Sequence, residues 1–145
     1  MGMISGGQLT VDALLDKGVR KIFSLSGGHI FPVYEYAEGS PLEIFTTRHE
    51  QAAVFMAEAW GRLTRKPGFA LVTAGPGFSN SISAMANAQM ANSPVVLIAG
   101  VVGLKAYEKL DLQDMRRIPN PSARAALSWP WLPDLMYQSF LNRTI

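Results

Sequence analysis

Four short apolar runs, each followed by glycine or turn residues and then by a segment with helical spacing, constrain the fold of this chain more than any other feature. The runs are Lys21 to Ser26, Leu42 to Thr47, Phe69 to Thr73 and Pro94 to Ala99. The Val-Val-Leu-Ile stretch inside the last run is apolar without alternation, as is typical of parallel strands covered on both faces. The sequence therefore predicts an α/β fold, with an open, doubly wound, mainly parallel sheet and helices on both faces.

Three segments have helical spacing: Leu9 to Asp16, which precedes the first run, and His49 to Leu63 and Ser79 to Ala91, which lie between later runs. In the second, an apolar stripe recurs at intervals of three and four residues, and this stripe predicts the buried face. Its members are Ala52, Met56, Ala59, Trp60 and Leu63. The third segment is rich in alanine and carries little charge, which predicts burial against the sheet or against another subunit.

Length and composition favour one domain of ordinary size, because 145 residues with 48% hydrophobic content suffice for a single core. A net charge of +2 without clustered Lys and Arg argues against nucleic acid as a partner. The chain has no cysteine, which excludes disulfides and thiolate metal sites and favours a cytoplasmic location. No apolar run is long enough to cross a membrane, and residues 1–9 do not resemble a secretory signal.

The pattern changes after about Arg117, so we divide the chain into a domain at residues 1–117 and a tail at residues 118–145. The tail contains several prolines together with Trp129 and Trp131. This composition predicts an irregular tail, and its final apolar stretch, Leu135 to Leu141, is compatible with a short helix.

Unusual residues follow each of the four runs, and ligands of open parallel sheets bind beyond the carboxyl ends of the strands. We call this edge of the sheet the rim. It comprises the segments 26–29 (Ser-Gly-Gly-His), 47–50 (Thr-Arg-His-Glu) and 73–77 (Thr-Ala-Gly-Pro-Gly) together with Gly100. The sequence predicts that these segments converge on one site.

Glu50 allows two interpretations. It lies at the first turn of the second predicted helix, where a carboxylate is favoured by the helix dipole and needs no further role. Alternatively, the apolar residues that follow it form a pocket in which a carboxyl group exchanges a proton with a ligand nitrogen near neutral pH.

The segment 73–80 and His29 are equally ambiguous when taken alone. The segment reads as a tight strand-to-helix connection with Ser79 or Asn80 near the cap, or as a place where glycines let the backbone approach a flat ligand. Asn80 stands where a dinucleotide fingerprint requires a third glycine. His29 is either structural or catalytic, and two histidines that no Asp or Glu accompanies at ligand spacing predict no metal site.

Together these motifs, in this order, resemble the N-terminal pyrimidine-binding domain of thiamine-diphosphate enzymes of the acetolactate synthase, benzaldehyde lyase and 2-hydroxyacyl-CoA lyase type. The likeness covers about residues 5 to 117. It is carried by residues 18–23 (GVRKIF), 27–30 (GGHI), 47–53 (TRHEQAA), 71–80 (LVTAGPGFSN) and 88–94 (AQMANSP).

The resemblance implies roles for particular residues. Glu50 would hydrogen-bond the aminopyrimidine ring nitrogen of thiamine diphosphate and promote the imino tautomer, which makes it both a catalytic and a cofactor-binding residue. Gly75, Pro76 and Gly77 would lie against the pyrimidine. Phe78 and Asn80 are weaker candidates for a cofactor contact.

Substrate contacts are implied in the same way. His29 matches a histidine that in benzaldehyde lyase serves proton transfer and substrate orientation, and it tilts the expected chemistry towards a lyase or carboligase. Gly28 beside it would line the substrate site. Gln113 matches a family glutamine that reaches towards substrate or cofactor.

The sequence departs from the family in one important respect. The family holds the diphosphate and a divalent metal in a second domain with a Gly-Asp-Gly motif, which is absent here. We therefore expect this chain to bind only the pyrimidine half of the cofactor, with Mg²⁺ on a partner diphosphate-binding domain or subunit and no metal on this chain. The expected assembly is a dimer or other homo- or hetero-oligomer. The isolated chain is expected to be an inactive, truncated fragment. The alternative is a non-catalytic remnant that acts only as an association module.

Overall fold

The computed structural model describes residues 4–101 and, further along, the backbone of two short strands. The helices are α1 (Gly6–Asp16), α2 (Phe31–Ala37), α3 (Glu50–Thr64) and α4 (Pro76–Met90), with a short 3-10 helix at Gly28–Ile30. The strands are β1 (Lys21–Ser24), β2 (Glu43–Thr46), β3 (Gly68–Val72), β4 (Val95–Gly100), β5 (Ala126–Leu127) and β6 (Leu135–Ser139). The four predicted strands are confirmed with small shifts at their ends.

The strands form one sheet in the order β2-β1-β3-β4-β6-β5. The first four are parallel, with Phe23 of β1 in register with Phe45 of β2 and Ala70 of β3. β6 pairs antiparallel with β4, and β5 pairs antiparallel with β6. The prediction of an open, mainly parallel sheet is confirmed.

Each face of the sheet carries its own hydrophobic core. On one face, α3 and α4 pack over side chains that include Phe23, Val72 and Leu97. On the other face, α1 and α2 pack over side chains that include Ile22 and Ile98. Neighbouring strand residues thus point into different cores, which explains why the strands are apolar at consecutive positions and confirms the doubly wound arrangement.

Helix starts are set by local capping rather than by apolar spacing. α1 begins three residues before the predicted start, because Ser5 Oγ accepts a hydrogen bond from the Gln8 amide at 3.1 Å. α2 was not among the predicted helices. Its signals were Pro32 in the first turn and the buried pair Val33 and Ala37, four residues apart.

The predicted buried stripe of α3 is wrong. The residues that face the core are Glu50, Ala53, Val54, Ala57, Glu58 and Gly61. Of the predicted stripe, Trp60 packs at the edge of the core and the other residues are exposed, with Leu63 at 84%. We call the exposed apolar residues the outer face of α3: Ala52, Phe55, Met56, Ala59 and Leu63.

Close packing explains which side of α3 turns inward. A Cβ on Gly68 of β3 would fall within bonding range of the Ala57 backbone, and a Cβ on Gly61 would come within 2.5 Å of the Pro94 carbonyl oxygen. Only small residues fit between the helix and the sheet at these points. The larger apolar side chains of α3 are therefore excluded from this side, although their spacing is equally regular.

Part of the tail is extended. The backbone of Leu135–Ser139, for which the sequence is compatible with a short helix, is a strand beside β4, and Ala126–Leu127 pairs with it. A short apolar run does not distinguish strand from helix by periodicity, and here pairing with β4 decides. Within the part of the chain that the structure describes, no helix combines the length and the apolar character needed to cross a bilayer.

Candidate functional site

The rim segments meet around Thr73, at the end of β3. A Cβ on Gly27 would lie 2.5 Å from the Thr73 Cβ, and a Cβ on Gly77 would lie 2.8 Å from its methyl group. A Cβ on Gly100 would come within 2.8 Å of the His29 Cβ. Glycine is therefore required at these three places so that the ends of β1, β3 and β4 can approach one another.

Glu50 is positioned by the turn between β2 and α3. The Thr47 amide donates to the Ser24 carbonyl at 2.8 Å, and Thr47 Oγ1 donates to the His49 carbonyl at 2.9 Å. His49 then caps α3, because its Nδ1 accepts a hydrogen bond from the Gln51 amide at 3.2 Å. These bonds anchor the start of α3, and with it Glu50, to the end of β1.

The two carboxylate oxygens of Glu50 have different surroundings. Oε2 accepts a hydrogen bond from Asn80 Nδ2 at 3.1 Å, whereas Oε1 accepts none from the described residues. Oε1 lies 3.5 Å from the place that a Cβ on Gly77 would occupy. Glu50 is only 8% exposed. One oxygen is thus held by Asn80, and the other faces the backbone surface at Gly77, which the Thr73 side chain also borders.

The turn that follows β3 forms this surface. Gly75 has φ 65° and ψ −122°, a conformation that residues with a Cβ rarely adopt, and Pro76 occupies the first position of α4. α4 therefore begins earlier than predicted, and the expectation that Ser79 or Asn80 lies near the cap is wrong, since Gly75 is the cap.

Asn80 and Phe78 point in different directions from the first turns of α4. Asn80 reaches across to Glu50. Phe78 is 2% exposed and belongs to the core between α4 and the sheet. Its burial there argues against the weaker prediction of a cofactor contact.

His29 lies in the 3-10 helix after β1 and is half-buried. Its Nδ1 is 3.4 Å from Thr73 Oγ1. A Cβ on the preceding Gly28 would meet no atom within 4 Å apart from its chain neighbours, so the space beside Gly28 is open. Gln113, the third predicted substrate contact, lies outside the described residues.

Thr73 is the site residue that the sequence analysis missed as an individual contact. It touches the Gly77 position beside Glu50 and also approaches His29. The available signal was its place at the end of β3, directly before the glycine turn. That signal became specific only once the strand order placed β3 beside β1.

The chemistry of the described residues suits a flat, nitrogen-containing heterocycle. Gly75 and Gly77 carry no side chain, and the unpartnered oxygen of Glu50 lies beside Gly77. A carboxyl group can share a proton with a ring nitrogen that comes within hydrogen-bond reach of it. Among residues 4–101, no cluster of three or more histidine, aspartate or glutamate side chains is arranged to hold a metal ion.

Comparison with known proteins gives several relatives of this chain. The chain is 41% identical over 122 residues to a probable acetolactate synthase of Mycobacterium bovis, an alignment that covers 83% of this chain and 22% of the relative. It is 44% identical over 113 residues to 2-hydroxyacyl-CoA lyase 2 of Xenopus laevis, and this alignment covers 78% of this chain and 17% of the relative. The human 2-hydroxyacyl-CoA lyase 2 is 39% identical over 141 residues, and this alignment covers 85% of this chain and 22% of the human protein.

The chain thus spans about a fifth of the length of these relatives. The family model described as "Thiamine pyrophosphate enzyme, N-terminal TPP binding domain" matches residues 4–119, a range that contains every rim segment and the whole of α3 and α4. The chain therefore belongs to the family of N-terminal thiamine-pyrophosphate-binding domains, and its parallel α/β sheet is the fold expected of that family.

Proposed function

We propose that this chain supplies the cofactor-activating part of the active site of a thiamine-diphosphate-dependent carbon–carbon lyase or carboligase. The substrates would be 2-keto acids, 2-hydroxy acids or acyl-CoAs, in line with relatives named acetolactate synthase and 2-hydroxyacyl-CoA lyase 2. The observation that carries the proposal is the buried Glu50, with one oxygen held by Asn80 and the other facing Gly77.

Glu50 would share a proton with the pyrimidine ring of the bound cofactor through Oε1. The hydrogen bond from Asn80 to Oε2 would favour one orientation of the carboxyl group, with Oε1 directed at the ring. Gly75, Pro76 and Gly77 would provide the surface on which the ring lies. When bound, thiamine diphosphate supplies the electron sink for cleavage and formation of the carbon–carbon bond.

His29 would move a proton on the substrate. Its Nδ1 lies against Thr73 Oγ1, which leaves Nε2 as the nitrogen available to a ligand. The open space beyond Gly28 is where a substrate would approach. Gln113 is proposed as a further substrate contact on the strength of the family motif alone.

The remaining half of the cofactor needs a partner. We propose that a diphosphate-binding domain or subunit of the same enzyme holds the diphosphate and Mg²⁺, within a cytoplasmic dimer or larger homo- or hetero-oligomer. The outer face of α3 supports this, because a helix that is apolar on both sides is usually buried on both sides. Leu63 is 84% exposed and offers a direct contact for such a partner.

The same outer face favours a second candidate function, a non-catalytic association module. Such a module would bind its partner through α3 without any contribution from Glu50. The two candidates differ in what a Glu50 substitution does after the partner has bound.

Co-expression with a diphosphate-binding domain that carries Gly-Asp-Gly separates the two candidates. We expect no turnover by the chain alone, and thiamine-diphosphate-dependent turnover of a 2-keto acid or 2-hydroxyacyl-CoA by the complex. Glu50→Gln should abolish that turnover. Glu43→Gln, at the exposed ion pair with Lys21, is the matched control and should preserve it.

The outcomes are distinct. A complex that forms but shows no cofactor-dependent turnover refutes the catalytic proposal and supports the association module. Turnover that survives Glu50→Gln also refutes it. Leu63→Gln should weaken association in either case, and unchanged association would contradict a partner on the outer face of α3.

A further inference from the structure

Two hydrogen bonds, each between a carboxylate and an amide side chain, join α3 to α4. The first links Glu50 Oε2 to Asn80 Nδ2 at 3.1 Å, and the second links Glu58 Oε2 to Asn87 Nδ2 at 2.9 Å. Both helices follow parallel strands and run in the same direction, so the hydrogen bond of Glu58 lies about two helical turns beyond that of Glu50. The hydrogen bond of Glu58 is remote from the rim and has no part in the proposed chemistry.

Glu58 is more deeply buried and better partnered than Glu50. It is 4% exposed, and its Oε1 accepts a hydrogen bond from Ser93 Oγ at 3.1 Å. Arg62 Nη1 lies 3.6 Å from the same oxygen. Glu58 thus ties α3 both to α4 and to the turn that leads into β4, and both of its oxygens are satisfied within the chain.

The buried apolar residues of α3 and α4 are mostly small, and Val54, Phe78 and Met85 are the larger ones. Apolar packing and polar contacts can therefore both contribute to how far α4 is shifted along α3. The buried carboxylate of Glu58 adds a directional constraint, because its hydrogen bonds to the exposed Asn87 and to the buried Ser93 are both made in one register only.

We propose that Glu58, with Asn87 and Ser93, sets the register of α4 along α3 and thereby holds Asn80 opposite Glu50. Glu58 is a positioning residue in this arrangement, and its role in activating the cofactor rests on the function proposed above. Displacement of α4 would withdraw the amide that fixes Oε2 of Glu50. The carboxyl group would then be free to rotate away from Gly77.

NMR spectroscopy of the full chain tests this directly through the side-chain amide resonances of Asn80. Glu50→Ala provides the reference position of an Asn80 amide that has lost its carboxylate acceptor. We expect Asn87→Ala to shift the Asn80 resonances towards that reference. Asn87→Asp should do the same, because it places two carboxylates face to face.

Combining Asn87→Asp with Glu58→Gln should restore the Asn80 resonances, because the pair again consists of one carboxylate and one amide. Ser83→Ala is the control. It removes the exposed contact between Gln51 and Ser83 on the same pair of helices and should leave Asn80 unchanged.

A folded Asn87→Ala variant with unaltered Asn80 resonances would overturn the proposal, even if its free energy of unfolding were lower. So would an effect of Ser83→Ala as large as that of Asn87→Ala. The readout needs no cofactor or partner. Its failure is therefore distinguishable from a failure of the co-expression experiment, which tests the proposed function.

Discussion

The two buried glutamates of α3 should differ sharply in what they contribute to stability. Replacing Glu58 by alanine removes the acceptor of Ser93 Oγ, which belongs to a side chain that is only 4% exposed. An unsatisfied buried donor costs about 1–3 kcal/mol. Replacing Glu50 by alanine releases Asn80, which is exposed and can bind water instead.

Other contributions are smaller or cancel. Both substitutions remove the same methylene groups, and the loss of the helix-dipole interaction of Glu50 costs about 0.3–1 kcal/mol. Relief of a buried, half-partnered carboxylate offsets that loss. We therefore expect Glu58→Ala to lower the free energy of unfolding by about 2 kcal/mol more than Glu50→Ala does.

Urea unfolding followed by circular dichroism measures this difference from the midpoints, provided that the slopes of the two variants agree. If Glu50→Ala costs as much stability as Glu58→Ala, the reasoning is refuted. That result would mean that Glu50 is a structural residue with unrecognised partners, and that its free oxygen is not reserved for a ligand.

Three further predictions concern glycines and pH. Gly68→Ala should destabilise the fold by roughly 3 kcal/mol or prevent folding, because the new methyl group would collide with the Ala57 backbone, whereas Gly28→Ala should leave urea unfolding unchanged. Gly75→Ala should lower the free energy of unfolding by about 1–3 kcal/mol, because alanine is strained at φ 65°, and an unchanged midpoint would contradict the turn geometry. Burial raises the pKa of Tyr34 above its ordinary value of 10.0, opposed by its hydrogen bond with Ser24. The protonated phenol is therefore favoured in the fold, its stabilisation is complete below about pH 10, and it is lost as the pH rises through the raised pKa. Stability measured from pH 9 to 11 should fall less steeply in Tyr34→Phe than in the unaltered chain, and equal slopes would rule this out.

The strands and the rim could be predicted because their signals are local. A parallel strand covered on both faces is apolar at every position, as in β4, and glycine turns mark where such strands end. The carboxyl ends of neighbouring parallel strands then share an edge, so the rim follows from the alternation alone.

The orientation of α3 could not be predicted in this way. Phe55, Met56 and Leu63 recur as regularly as the residues that face the core, so the spacing identifies two apolar faces and does not rank them. Which face of α3 turns towards the core depends on the close approach of Ala57 to Gly68, a contact between α3 and the strand β3 that follows it. Periodicity within one helix contains no information about that contact.

In the candidate site, too, the local motifs could be predicted and the contacts between distant residues could not. Glu50 and the glycine turn stand out in the sequence, but the contact between Glu50 and Asn80 joins two helices separated by a strand. Thr73 gains its central place only because β3 lies beside β1. The members of the candidate site could therefore be predicted in part, whereas the contacts between them could not.

The strand order also has a consequence for how the chain is assembled as it is synthesised. β1 pairs on one side with β2, which follows it closely, and on the other side with β3, and the bond from Ser24 to Leu71 spans 47 residues. Long loops must close before such pairings form, which makes parallel sheets slow to complete. The middle of the sheet therefore stays open on the ribosome until the whole of β3 has emerged, and Ser24 finds its acceptor only after Glu50 and all of α3 have already left the exit tunnel.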